Sequence, residues 1–77
     1  MNNYRRKELK KAIDLLDEAR FIIEQIAEEE RDAFDNLPES LRYSERGEAM
    51  EDFANRLDDV AYSLEEAAGE VEDVINS

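Results

Sequence analysis

Seventy-seven residues with no Cys and no His allow one domain, exclude a disulfide framework, and remove the usual zinc, haem and di-iron ligand sets. The composition is 42% hydrophobic and 42% charged with only two Gly and one Pro, the profile of long helices or coiled coils and too apolar for simple disorder. A formal net charge of −12 sets the chain against phosphate backbones and anionic lipid, so a basic protein surface is the expected partner, with no direct nucleic-acid binding, no membrane and no cofactor.

The charge is unevenly placed. Residues 1–11 carry five cations (Arg5, Arg6, Lys7, Lys10, Lys11) against Glu8, while the remaining 66 residues carry five positive and 21 negative charges, a balance of −16. No apolar run approaches the roughly 18 residues of a membrane span. No apolar stretch follows the basic start, so no export signal is read and a cytoplasmic location is expected.

The first predicted element is a helix over about 4–35. Leu9, Ile13, Leu16, Ile23, Ala27, Phe34 and Leu37 recur at alternating steps of four and three, an a/d seam, with Arg20 and Glu30 in the two remaining seam positions. Arg20 reads as a snorkelling stem, and the alternative is a polar layer with Glu30 that sets register. Ala12, Ala19, Ile26 and Ala33 flank the seam every seven residues, and Phe21 and Ile22 add bulk on another side.

A turn over 36–44 follows. Pro38 lacks an N–H and cannot sit inside a helix, so the first helix must end by Leu37. Asn36 suits an N-cap for a short helical turn begun near Pro38; Ser44 suits the N-cap of the second long helix, with Glu45 and Glu48 at its positive dipole end.

The second long helix covers about 45–76. Met50, Leu57, Leu64 and Val71 hold one seam position, Phe53, Val60, Ala67 and Val74 the other, and Ala54, Ala61, Ala68 and Ile75 form a flanking row. Gly69, in the interior, reads as a tolerated surface glycine, with close approach of another backbone as the alternative. A short connection makes the helices antiparallel, which brings the basic N-terminus beside Glu65, Glu66, Glu70, Glu72 and Asp73.

The fold expected is therefore all-α: an antiparallel two-helix hairpin, coiled-coil-like, as a single domain 1–77. Two seams would leave Phe21, Ile22, Ile26, Ala54, Ala61, Ala68 and Ile75 uncovered. These are the candidate self-association residues of a homodimer that closes a four-helix bundle.

No catalytic constellation is read, and the chain is not expected to be an enzyme. Rows of carboxylates are the candidate partner-binding surface: Glu28, Glu29 and Asp32 on the first helix, Glu51, Asp52, Asp58, Asp59, Glu65 and Glu66 on the second. A rigid acidic rod can enter a basic nucleic-acid channel, the physical basis of DNA mimicry, whereas the plain alternative is a solvated face that confers solubility. Glu28-Glu29-Glu30-Arg31-Asp32 would face Glu48, Glu51 and Asp52 across the turn end. That layout loosely resembles the Glu-rich Mg²⁺ site of all-α nucleoside triphosphate pyrophosphohydrolases, though no Lys or Arg pocket for phosphates accompanies it.

One string is more specific. Glu28-Glu29-Glu30-Arg31-Asp32-Ala33-Phe34-Asp35-Asn36-Leu37-Pro38-Glu39-Ser40-Leu41, followed by Ser44-Glu45-Arg46-Gly47-Glu48, resembles the turn region of a family of small acidic helical-hairpin proteins of bacteriophages, prophages and mobile elements. The resemblance implies an origin, and with it the cytoplasm of a host cell, but no mechanism. Among small acidic phage proteins, inhibitors of host defence nucleases recur. The leading expectation is thus an interaction module that inhibits a host nucleic-acid-handling or defence protein. The alternatives are a self-assembling scaffold and, further off, a divalent-metal nucleotide pyrophosphohydrolase.

Overall fold

The computed structural model describes all 77 residues. Helix α1 spans Asn3–Asp35, a single turn α2 spans Glu39–Arg42, and α3 spans Glu45–Ile75. The helices α1 and α3 pack against each other along their length to form a rod 59 × 14 × 12 Å. No helix is long and apolar enough to cross a membrane.

The ends of the helices follow from local chemistry. Asn2 caps α1, its side chain accepting from the Arg5 N–H at 2.8 Å. Ser44 caps α3 as expected, its Oγ accepting from the Gly47 N–H at 3.4 Å. Asn36 departs from expectation. It closes α1, with its N–H donating to the Asp32 carbonyl at 3.0 Å while the Phe34 carbonyl accepts from the Leu37 N–H at 3.1 Å, and Pro38 in extended backbone takes the N-cap position of α2 with no side-chain cap bond. The proline decides this, because its missing N–H costs nothing ahead of a first helical turn. Arg42 supplies what the sequence reading lacked. Its guanidinium donates to the Asp35 carbonyl at 2.9 Å and to the Leu37 carbonyl at 3.3 Å, placing a cation over the negative end of α1.

The α1 seam is as expected: Ala27 is fully buried, and Leu9, Ile13, Leu16, Ile23, Phe34 and Leu37 are half-buried, together with Arg20 and Glu30. On α3 two rows change places. Ala54, Ala61, Ala68 and Ile75, expected outside as self-association residues, are the buried line of the hairpin. Phe53, Val60 and Val74, expected at the seam, stand 50%, 46% and 51% exposed. Met50, Leu57, Leu64 and Val71 lie between these rows, half-buried. The reason is steric. Two helices meet along a narrow line, and axis separation depends on the side chains on that line. Alanines there let the backbones approach, while bulkier residues straddle the contact from one side. As a consequence no large side chain is fully buried anywhere in the molecule.

Candidate interaction surfaces

The hairpin presents two unlike long faces, which helix geometry separates. Ile26 shares a groove of about 460 Å³ with Phe53, Leu57, Val60, Glu30 and Arg56. Arg31 and Asp58 instead form the one ion pair that links α1 to α3. Arg31 follows Ile26 by five residues and Val60 follows Asp58 by two, which is about 140° and about 160° around the respective helices. Groove and ion pair therefore lie on opposite faces.

The groove face is apolar. Leu15, Ile22 and Ile26 stand exposed on α1 at steps of seven and four, and Phe53, Val60 and Val74 stand exposed on α3 at multiples of seven. Of the residues expected to self-associate, Ile22 and Ile26 belong to this face. Phe21 does not: it is exposed but sits on the helical row of Asp14, Glu28 and Asp35, turned away from the groove. Leu15 and the Phe53 row escaped the sequence reading, the first because it lies outside every seam row, the second because it was placed inside.

The opposite face is acidic. Along α3 adjacent carboxylates recur every seven residues, as Glu51-Asp52, Asp58-Asp59, Glu65-Glu66 and Glu72-Asp73, all exposed. Seven residues span about 10 Å of helix, so this is a ladder of evenly spaced charge pairs. From α1, Glu28 lies one turn from Arg31 and Asp32 lies beside it, both exposed. Glu29 is placed differently: seven residues after Ile22 and three after Ile26, it sits at the rim of the apolar face.

Local electrostatics follow these placements. The hydrogen bond to Asp58, aided by its charge, holds the Arg31 guanidinium above its ordinary value against some desolvation. The Tyr62 phenol is likewise raised, chiefly by the neighbouring Glu66 carboxylate and then by Glu65. Arg20 snorkels. It reaches Asp17 at 3.8 Å and Glu24 at 3.7 Å on its own helix, while its Nε stays covered without a partner. At the open end Lys10 and Glu72 line one groove, yet no ion pair joins the basic N-terminus to the acidic C-terminal end; Lys11 instead pairs with Glu8 at 3.2 Å.

The carboxylates of the turn end do not assemble into a ligand set. Glu48, Glu51 and Asp52 line a groove with Phe34, Arg42, Tyr43 and Asn55, without Glu28, Glu29 or Asp32, and nowhere do three Asp or Glu come close enough to share a metal ion. The facing arrangement that would resemble a pyrophosphohydrolase site is absent.

Fold and surfaces together define a class: a two-helix antiparallel hairpin with one apolar and one acidic long face. Beyond that class, no protein family, no curated protein and no solved structure matches the chain.

Proposed function

We propose that this protein is an acidic protein–protein interaction module, an inhibitor of the DNA-mimic type encoded by a phage or related mobile element. It acts in the host cytoplasm by docking on the basic nucleic-acid-binding surface of a host nucleic-acid-handling or defence protein. Its working unit is a homodimer of hairpins closing a four-helix bundle. The observation that carries this reading is the ladder Glu51-Asp52, Asp58-Asp59, Glu65-Glu66, Glu72-Asp73 on a rigid helix, eight carboxylates met by few cations: Arg31 pairs with Asp58, Arg56 with Asp52, and Lys10 shares a groove with Glu72. Evenly spaced carboxylates on a stiff rod present a fixed potential to a basic groove and steer its approach.

The test is capture of host proteins on the immobilised chain at low salt, followed by competition with duplex DNA. A basic partner that DNA displaces, and that a ladder variant (Asp58→Asn, Asp59→Asn, Glu65→Gln, Glu66→Gln) no longer holds, is the expected result. A partner indifferent to DNA and to those four changes would refute the mimicry.

A second reading, a self-assembling scaffold, is favoured by the exposed Leu15, Ile22, Ile26, Phe53, Val60 and Val74. It predicts salt-tolerant self-association and no basic partner in the same capture.

A further inference from the structure

We infer that the apolar groove face is where a second copy of this chain docks, α1 of one protomer lying on α3 of its partner, turn ends side by side, acidic ladders pointing outward. This rests on the dimeric reading above and adds to it the face, the helix pairing and the orientation.

The first argument is area. The chain exposes 5933 Å² at 9.0 kDa. Surface scaling gives a compact monomer of that mass about 4,900 Å². The surplus of about 1,000 Å² compares with the roughly 800 Å² that each partner buries in an interface of standard size. Rod shape accounts for part of the surplus, yet the hairpin also lacks any fully buried large side chain. A chain of this length with no disulfide needs a further source of burial. Covering the groove face supplies it.

The second argument is charge, and it selects the occupant. Both cations of α3 border this face: Arg46 is on the row of Phe53 and Val60, and Arg56 lies three residues after Phe53 and four before Val60, at the edge where its guanidinium also reaches Asp52 of the ladder at 3.7 Å. The rim of α1 carries Glu18 and Glu29, interleaved with Leu15, Ile22 and Ile26, and Lys11 one turn before Leu15. The rim is therefore of mixed sign, unlike the ladder. The shared groove puts Arg56 level with Glu30 along the rod, and the open-end groove puts Lys10 level with Glu72. A two-fold axis along the rod preserves these levels. Arg56 then meets the partner's Glu29, and Lys11 comes within a turn of the partner's Glu70. An unrelated apolar partner has no reason to match this alternation; a second copy matches it by symmetry.

The experiment is light scattering of the full chain across micromolar concentrations. A mass of twice 9.0 kDa is expected, and a monomer or any larger assembly overturns the inference. Ile26→Ser and Val60→Asp should each yield a monomer with helical circular dichroism retained, because both side chains are already exposed in the hairpin. Dimers persisting in both variants would remove this face as the interface. Arg56→Glu should weaken dimerisation about tenfold and Glu29→Arg in the same chain should restore it, and no rescue would refute the pairing. Nitroxide labels on Ser40→Cys should report a short distance across the dimer; one approaching the 59 Å rod length would mean reversed hairpins. DNA-competed capture by the unaltered chain reads the inhibitor proposal whatever its oligomeric state, so either idea can fail alone.

Discussion

Gly47 and Gly69 occupy the same helix and have opposite consequences. A Cβ on Gly47 would lie 2.3 Å from the Arg42 carbonyl oxygen and 2.7 Å from that of Leu41, whereas one on Gly69 meets nothing within 4 Å. Backbone cannot yield as a flexible side-chain tip does. Gly47→Ala should therefore lower stability by about 1–3 kcal/mol in a denaturant melt, the usual range for overpacking. Gly69→Ala should raise it by about 0.5–1 kcal/mol, because alanine relieves the entropic cost of a mid-helix glycine. In sequence Gly69 stands out as a glycine in the interior of a long helix. Gly47 lies three residues into α3, where a glycine looks unremarkable until α2 folds back over it. Tyr62 offers a second check at this scale. Its phenol is raised above the ordinary value by Glu66, so the proton is held more tightly in the folded chain than in the unfolded one. The stabilisation is complete below the unfolded pKa and is lost as pH rises through the folded one. With Tyr4 and Tyr43 replaced by Phe, Glu66→Gln should move the ultraviolet titration of Tyr62 downward; an unmoved curve would mean that Glu66 does not act on it.

At the scale of elements, the exchange of rows on α3 has mutational consequences. Ala61 is on the line of closest approach and Val60 is a neighbour turned outward. Ala61→Leu should force α1 and α3 apart and cost about 1–3 kcal/mol, while Val60→Leu should leave hairpin stability within about 0.5 kcal/mol. Equal effects at the two positions would mean that the α3 register is misplaced. The heptad period alone could not choose between these rows. Both repeat every seven residues, both are apolar, and a seam of Phe and Val looks stronger by burial than one of Ala. What decides is that two helices share one line of contact, and alanine makes the shorter axis separation possible. On α1 no such ambiguity arose, because Leu9, Ile13, Leu16, Ile23 and Phe34 outweigh the Ala row beside them.

For the whole molecule, charge governs how the rod meets other macromolecules. Affinity for a basic target should fall about tenfold or more between 50 and 300 mM salt, since screening shortens electrostatic reach to below about 10 Å. Affinity should also fall as pH is lowered toward the isoelectric point of about 4.2, where the net charge of the chain vanishes. Dimerisation through the apolar face should hold across the same salt range, since burial of apolar surface is not screened. Isothermal titration at several salt concentrations separates the two behaviours, and a target affinity that survives high salt would contradict charge steering.

The sequence by itself determined two long helices, their antiparallel sense, the stop before Pro38, the Ser44 cap and the seam of α1. These are matters of periodicity, proline geometry and capping chemistry, which act over a few residues or over regular repeats. The tertiary structure alone decided which row of α3 faces α1, that Glu29 borders the apolar face while Glu28 does not, that Phe21 stands apart, and that Arg31 reaches Asp58. Each of these depends on the rotation of one helix about its axis relative to the other. That angle is set by how closely the two backbones can pack, and no repeat within a single helix encodes it.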